Sequence, residues 1–263
     1  MKNITVTYEE KNNNYIAVKD VDISIKEGEF LSIIGPSGCG KSTLLSILAG
    51  LNSPSEGSIL YDGQDVQGVE IDSGIVFQNY SLFPWMSAKK NITFAIKQVA
   101  KDKSKKDIEK IADEYLKMVG LSEFANKYPS QLSGGMKQRV AIARTFARNP
   151  KIFLMDEPFA AVDAKNRVVL QELLLNLWDS EDKKKTVVLV THDIDEAILL
   201  SDRIIVMTSG PGTVKKEINV SFDRPRDRAK LLRSKEYTNL RNKIVNLFND
   251  DLIKKIGGDE VVI

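Results

Sequence analysis

This chain of 263 residues lacks several features, and each absence excludes a class of protein. Cys39 is the only cysteine, which excludes a disulfide framework and fits a reducing compartment. The 38 basic and 36 acidic residues leave a formal net charge of +2, too small to argue for a nucleic-acid partner. No apolar run approaches the roughly 18 uncharged residues that a membrane-spanning helix needs, and no secretory signal is visible. The sequence therefore predicts a soluble protein, so that any role at a membrane must come through a partner.

The hydrophobic pattern predicts an α/β fold. Hydrophobic residues make up 42% of the chain, which is enough for a sizeable core. Apolar runs without alternation predict strands covered on both faces, as in a parallel sheet, at residues 30–34, 152–155, 186–190 and 203–208. Other strands are predicted at 4–8, 15–25, 58–61 and 74–77. Helices are predicted at 41–49, 164–178 and 193–200, and their alternation with strands is typical of an α/β domain.

The middle and the end of the chain differ from this pattern. Ser104 and Asp107 form a predicted capping box before an apolar helical face, and a further helix is predicted from Gly134 to about Ala147. We interpret residues 88–148 as a helical insertion in a domain of residues 1–223. Residues 224–263 form a basic tail that is helical in pattern and is expected to end loosely at Gly257-Gly258.

A glycine-rich loop joins the strand at 30–34 to the helix that begins at Lys41. Its residues are Gly35, Pro36, Ser37, Gly38, Cys39, Gly40, Lys41, Ser42 and Thr43. The backbone N–H groups of such a loop and the positive end of the following helix bind phosphate. In a phosphate loop, Lys41 would contact the β- and γ-phosphates and Ser42 would bind Mg²⁺, whereas Cys39 fits loop packing. A glycine-rich turn that matches by chance is the alternative.

Two acids follow the apolar strand at 152–155. Ligands of open α/β sheets collect at the carboxyl ends of the strands. Asp156 therefore fits a role in holding Mg²⁺ through water, and Glu157 fits the base that orients an attacking water. Two solvated acids at a strand end are the alternative, which the apolar run before them and Pro158 after them argue against.

A second candidate anion site begins the helix at Gly134. Ser133 as a helix N-cap is a full structural explanation of this residue. A helix N-terminus with two glycines, Gly134 and Gly135, is also a site for an anion. Two anion sites in one chain are explained if two copies of the chain pair.

The three motifs, in this order, resemble the ATP-binding subunits of ABC transporters over roughly the whole chain. The residues that carry the resemblance are the phosphate loop, the segment 132–139 with its Gln138-Arg139 pair, and the strand before Asp156-Glu157. The resemblance implies a nucleotide-binding core, a small N-terminal antiparallel sheet and an inserted helical subdomain. It also implies that a homodimer hydrolyses ATP with Mg²⁺ and powers transport through integral-membrane permease subunits at the cytoplasmic face of the cell membrane.

The resemblance further assigns roles to single residues. Ser133 and Gly135 would close over the γ-phosphate held by the other subunit. His192, the only histidine, would hydrogen-bond the γ-phosphate and position Glu157. Gln78 would reach Mg²⁺ and the attacking water.

Three other assignments leave alternatives open. Tyr8 would stack on adenine, with Tyr15 as the competing residue and an ordinary strand aromatic as the third possibility. The apolar and aromatic residues at 79–86 either belong to the core or form a groove for a helix of the permease. Asp163 is explained by N-capping, although in the family it belongs to a loop that crosses the dimer interface.

The segments 208–212 and 222–228 resemble the branch of importers for nitrate, sulfonate and taurine. That resemblance implies an importer supplied by an extracytoplasmic solute-binding protein. Two alternatives remain. The first is a soluble ABC ATPase not coupled to transport, which usually has a coiled-coil insertion or tandem cassettes. The second is a regulatory module that binds ATP without hydrolysis, against which Glu157 and His192 argue.

Overall fold

The structure, a computed structural model, describes residues 1–10, 13–66, 68, 71–160, 162–179, 185–208 and 210–258. The chain divides into two units, one of Met1–Ile71 with Val188–Ile263 and one of Asp72–Val187. Within the described ranges, no helix has both the length and the apolar character needed to span a membrane.

The strands and helices alternate along most of the chain. In chain order they are β1 (Lys2–Glu10), β2 (Asn13–Val21), β3 (Phe30–Ile34), α1 (Lys41–Leu48), β4 (Glu56–Tyr61), β5 (Gln64–Val66), β6 (Ser73–Val76), α2 (Ala88–Val99), α3 (Lys105–Met118), α4 (Gly134–Ala147), β7 (Ile152–Asp156), α5 (Ala164–Asp179), β8 (Thr186–Thr191), α6 (Ile194–Leu200), β9 (Arg203–Met207), β10 (Val214–Asn219), α7 (Arg228–Leu231) and α8 (Lys235–Gly258). Two short 3-10 turns, Ser122–Phe124 and Pro129–Gln131, lie between α3 and α4.

The first unit holds two sheets. Strands β2, β1, β4 and β5 form an antiparallel sheet in that order. Strands β10, β9, β3 and β8 follow one another in the second, in which β3 and β9 are parallel and β10 is antiparallel. All five residues of β3 are buried, as its apolar run predicts. The loop that leads to helix α1 therefore leaves the carboxyl end of a fully buried strand.

The second unit combines a pair of parallel strands with a cluster of helices. Strand β6 pairs with β7, with Val76 opposite Met155. Helices α2, α3 and α4 share an apolar core that includes Ile92, Leu116 and Val140, each completely buried. These helices lie within the predicted insertion at 88–148. Helix α4, which begins with its two glycines, is thus anchored in this core.

Two expectations differ from the structure, and two strands were not predicted. Strand β2 ends at Val21 rather than at 25, because Asn3 opposite it has a left-handed φ of 49° and gives its N–H to the Asp22 side chain at 3.0 Å. The Gly257-Gly258 end is helical rather than loose, since an established helix gains a hydrogen bond with each added residue. Strands β5 and β10 were not expected, because both are short and polar.

The predicted cap of α3 is confirmed with a change in its second bond. Ser104 Oγ accepts from the Asp107 N–H at 3.2 Å, which is the N-cap bond. The Asp107 carboxylate then accepts from the Ser104 hydroxyl at 2.6 Å, and not from the Ser104 backbone as in a full capping box. The helix start is therefore fixed by one backbone bond and one side-chain bond.

A buried ion pair joins the starts of two neighbouring strands in the second sheet of the first unit. Arg203 donates to both carboxylate oxygens of Glu29, at 2.7 and 3.0 Å, and to Glu217 at 2.9 Å. The side chains of Arg203 and Glu29 are 9% and 8% exposed. Glu29 also accepts the Lys26 N–H at 2.9 Å. The pair ties the start of β3 to the start of β9.

We expect Arg203→Ala to lower the free energy of unfolding by about 3–5 kcal/mol, because it leaves the Glu29 carboxylate buried and unpaired. Lys230→Ala is the control, since it removes an exposed ion pair with Asp227 in the same unit. That change should cost no more than about 1 kcal/mol. Urea unfolding of both variants measures the difference. Equal midpoints for the two variants would contradict a stabilising role for the buried pair.

Candidate functional site

The phosphate loop lies in the first unit, between β3 and α1. Helix α1 begins directly after Gly40, whose φ is 86°. A side chain at Gly40 would also meet Val18 Cγ1 at 2.2 Å. Only glycine therefore fits this position, both for its backbone and for its surroundings. The helix N-terminus is consequently held against strand β2, which fixes the direction of its first N–H groups.

Lys41 lies inside the loop. Its ammonium group donates to the carbonyl oxygens of Gly35 and Pro36, both at 2.9 Å, and only 5% of the residue is exposed. The Cys39 sulfur lies 3.7 Å from the same ammonium group. Burial raises the pKa of the Cys39 thiol, so the thiol stays neutral and packs within the loop. The positive charge of Lys41 is thus held at the centre of the turn.

Two tyrosines of the antiparallel sheet reach the phosphate loop. Tyr8 on β1 and Tyr15 on β2 lie opposite each other in the strand register. The Tyr8 hydroxyl lies 3.5 Å from Thr43 Oγ1, and the Tyr15 hydroxyl donates to the Gly38 carbonyl at 3.5 Å. Both rings are exposed, at 42% and 49%. The structure therefore brings both candidates for adenine stacking to the loop, and the choice between them stays open.

Gly212, which the sequence suggested only as part of a branch marker at 208–212, packs against the phosphate loop. Gly212 bonds with β2 through the Ala17 carbonyl at 3.0 Å and the Lys19 N–H at 2.9 Å. A Cβ atom at Gly212 would lie 2.0 Å from the Cys39 carbonyl oxygen. Gly212 is thus a structural residue of the loop that sequence reasoning missed, since the contact joins residues far apart in the chain.

His192 follows β8 in the first unit and is exposed. Its two neighbours are fixed to the first turn of α6. The Asp193 carboxylate accepts the N–H groups of Asp195 and Glu196 at 2.8 and 3.1 Å, as an N-cap. The Thr191 hydroxyl donates to Glu196 at 2.7 Å and accepts the Asp193 N–H at 3.0 Å. The backbone that carries His192 is therefore bonded on both sides.

The acids and the glutamine lie at one edge of the strand pair in the second unit. Asp156 is the last residue of β7, and Glu157 follows with a left-handed φ of 44°. Gln78 follows β6 and is exposed. Because Val76 lies opposite Met155 in parallel strands, Gln78 and Glu157 leave the sheet at the same edge. The left-handed φ of Glu157 is a strained conformation for a residue other than glycine, and strain of this kind is common at functional sites.

Ser133 is the N-cap of α4, as expected. Its hydroxyl accepts the Met136 N–H at 3.3 Å, and the residue is exposed. Gly135 is different from the loop glycines, because a Cβ atom there would lie 3.6 Å from Asn166 Cβ, an ordinary contact. Packing within this chain therefore does not require a glycine at 135. Asp163 caps α5 by accepting the Asn166 N–H at 3.1 Å.

The apolar segment at 79–86 lies mainly at the surface, although Leu82 packs against the core of α2, α3 and α4. We call the rings of Phe83, Trp85 and Phe94 the aromatic surface. Phe83 lies 5.6 Å from Trp85 and 4.9 Å from Phe94 between ring centroids, and Trp85 is 68% exposed. An exposed tryptophan beside other aromatic rings is typical of a protein-binding surface.

Two buried or half-buried side chains hold the loop that carries this surface. The completely buried Asn91 amide accepts from the Phe83 N–H at 2.8 Å and donates to the carbonyls of Phe83, Met86 and Ser87 at 3.0 to 3.2 Å. Arg144 on α4 donates to the Ser81 carbonyl at 2.7 Å and lies 5.9 Å from the Phe83 ring centroid. Neither residue was picked out from the sequence. Arg144 bonds to residues far away in the chain. The Asn91 bonds are local, but an asparagine has many possible partners.

A protein-family model described as ABC transporter matches residues 18–160, more than half of the chain. The chain belongs to the ABC transporter family. An uncharacterised ABC transporter ATP-binding protein of Methanocaldococcus jannaschii is 47% identical over 97% of this ABC chain and 93% of its own. The nitrate import ATP-binding protein NrtD and the bicarbonate transport ATP-binding protein CmpD, both of Synechococcus elongatus, are 46% and 44% identical. They are matched over 88% and 92% of this chain and 84% and 87% of their own.

A solved ABC cassette has the same fold. It is a dimeric ATP-binding cassette in a post-hydrolysis state with ADP and phosphate, 40% identical, with a TM-score of 0.75. The match covers 84% of this chain and 98% of that cassette. The α/β fold, the ABC family and ATP hydrolysis as the activity of this cassette are therefore confirmed.

Proposed function

We propose that this cassette is the ATP-hydrolysing subunit of an importer for a small inorganic oxyanion. The observation that carries the proposal is the similarity, over most of the chain, to cassettes named for nitrate import and for bicarbonate transport. Nitrate and bicarbonate are both small planar oxyanions. The cassette itself does not select the solute, because the permease and an extracytoplasmic solute-binding protein contact it. No observation favours a soluble ABC ATPase or a module without turnover.

Hydrolysis of ATP by water needs positioning and charge neutralisation more than covalent chemistry. In the proposal, Lys41 and the loop N–H groups bind the β- and γ-phosphates. Glu157 accepts a proton from the attacking water, His192 bonds to the γ-phosphate, and Gln78 contacts the water. Tyr8 or Tyr15 stacks on adenine at the edge of the phosphate loop.

By resemblance to the family, Ser42, Gln78 and Asp156 would supply oxygen donors to Mg²⁺, which would neutralise phosphate charge during hydrolysis. Among the described residues, no cluster of three or more His, Cys, Asp or Glu side chains could hold a metal ion by itself. Mg²⁺ in nucleotide sites usually has one or two protein ligands with phosphates and waters, so a complete protein cage is not expected. Ser42 would ligate the ion directly and Asp156 through water.

Two copies of the chain would close over ATP, and the solved relative with ADP and phosphate is itself a dimer. Gly135 supports this proposal, since glycine in a helix costs about 1 kcal/mol relative to alanine and packing in one chain does not require it. A phosphate bound by the partner needs close approach to the helix N-terminus, which a glycine permits. Ser133 and Gly135 would thus bind the γ-phosphate that the partner holds.

The aromatic surface would dock a helix of the permease, which places the cassette at the cytoplasmic face of the membrane. Trp85 is the expected anchor, because exposed tryptophans contribute most to many interfaces. Asn91 fixes the shape of the loop before any partner binds, which lowers the entropy cost of docking.

The test is purification of the cassette with its permease, followed by ATP hydrolysis and uptake in vesicles that contain the solute-binding protein. We expect nitrate or bicarbonate, and not chloride, to be taken up with ATP consumption. Trp85→Ala should weaken the complex at least about 30-fold, as loss of a hot-spot residue does. Phe124→Ala, another exposed aromatic residue of the same unit, is the control. A cassette that retains no membrane protein would favour the soluble alternative.

A further inference from the structure

The C-terminal segment, which we define as residues 222–248, packs onto helix α6. Tyr237 and Ile244 are 4% and 0% exposed and belong to one apolar cluster with Ala197 and Ile198 of α6. Leu240, Leu247 and Phe248 pack against the same cluster. The segment therefore covers one side of the short helix that begins two residues after His192.

Arginines of the segment bind the carboxyl end of α6. Arg224 donates to the Leu200 carbonyl at 2.6 Å and to the Asp202 carboxylate at 2.8 Å. Arg226 donates to the carbonyls of Ile198 and Leu199, both at 3.1 Å. The last carbonyls of a helix have no partner within the helix, and cations are favoured there. These bonds hold the far end of α6.

Helix α8 binds the other end of α6 through one carboxylate. Asp195, in the first turn, accepts the Tyr237 hydroxyl at 2.6 Å and Arg241 Nε at 2.8 Å. Burial and the bond to Asp195 raise the pKa of Tyr237, and the same carboxylate raises the pKa of Arg241. Both side chains therefore keep their protons and remain donors at neutral pH.

The bonded carboxylate lies next to the residues that fix His192. The N–H of Asp195 is itself held by the Asp193 carboxylate at 2.8 Å. Glu196, the next residue, is bonded to the Thr191 hydroxyl at 2.7 Å. A displacement of Asp195 thus moves the partners of both neighbours of His192.

We propose that Tyr237 and Arg241 are positioning residues for His192, so that the C-terminal segment sets the rate of ATP hydrolysis through α6. The proposal rests on the role proposed above for His192. The segment contacts α6 at both ends and along one face, whereas His192 itself needs no contact with it. Loss of the bonds to Asp195 leaves ATP binding by the phosphate loop intact and misplaces the histidine.

The test uses the fact that His192 is the only histidine of the chain. The protein is purified without a histidine tag and labelled with ¹³C at histidine Cε1, so that its imidazole gives a single NMR signal. We expect Tyr237→Phe and Arg241→Ala each to shift this signal. Each should lower kcat by about three- to tenfold with little change in KM for ATP, as coupling residues do. Tyr237→Phe keeps the buried ring, so the apolar cluster is preserved.

Lys243→Ala is the matched control, since Lys243 is an exposed cation of the same helix two residues beyond Arg241. It should leave both the signal and kcat unchanged. An unshifted imidazole signal, or an unchanged kcat, in both test variants would overturn the inference. His192→Ala is measured separately. If that variant hydrolyses ATP at the parent rate, the proposed role of His192 is wrong, whereas its inactivity with unaffected test variants refutes only the inference.

Discussion

Glu157→Gln is expected to abolish ATP turnover while ATP binding persists. The amide has the shape of the carboxylate but cannot accept a proton from the attacking water, and loss of a general base costs about 100- to 10,000-fold in rate. Glutamine at 157 needs the same left-handed backbone as glutamate, so the cost of a φ of 44° is present in both proteins. The bound ATP should then hold two copies together as a dimer, which size-exclusion chromatography detects.

Single-turnover hydrolysis and equilibrium ATP binding measure the two halves of this prediction. The control is Glu172→Gln, which makes the same chemical change at an exposed residue of α5. It should leave turnover and affinity at parent values. Turnover near the parent rate in Glu157→Gln would show that another group takes the proton.

Ser133→Arg is expected to bind ATP normally in each chain and to lose hydrolysis. The substitution puts a bulky side chain at the exposed start of α4, where the γ-phosphate held by the partner would enter. The loss should not come from the missing cap, whose removal costs only about 1 kcal/mol of helix stability. Ser104→Arg is the matched control, because it removes an N-cap of the same kind from α3 in the same unit.

Mixing the Ser133→Arg chain with a Lys41→Ala chain tests whether two chains build each site. Each variant alone should be inactive, since every site then lacks Lys41 or Ser133. A mixed dimer has one site with both residues intact and one with neither. ATPase activity against mixing ratio should be bell-shaped, with a maximum of at most about a quarter of the parent activity for random pairing in a two-fold dimer. If the Ser133→Arg chain alone has the parent activity, Ser133 acts only as a helix cap.

The sequence predicted best those elements whose local pattern agrees with their burial. Strand β3 was predicted to the residue, because it is apolar throughout and buried on both faces. Helix α4 was also predicted with both ends, because Ser133 caps it and its second half, from Val140 to Ala147, is almost entirely buried. In both cases, local propensity and tertiary packing favour the same structure.

The elements that the sequence did not predict depend on distant partners. Strand β10 carries two lysines and a glutamate and becomes a strand only by pairing with β9. The bonds of Asn91 to its loop and of Tyr237 to Asp195 join residues whose types have many possible partners. Residue types at the candidate site were visible from motifs, whereas the side chains that hold those motifs in place were visible only in the fold.

Arg144 has a mechanical consequence. It joins the loop at 80–83 to α4 by bonds to the carbonyls of Tyr80 and Ser81, two residues in left-handed conformation. Ser133 lies at the other end of the same helix, about 16 Å away at 1.5 Å per residue. A helix barely compresses along its axis, so α4 acts as a strut. A rigid helix therefore connects the loop at 80–83 to Ser133, and the length of α4 sets the distance between them.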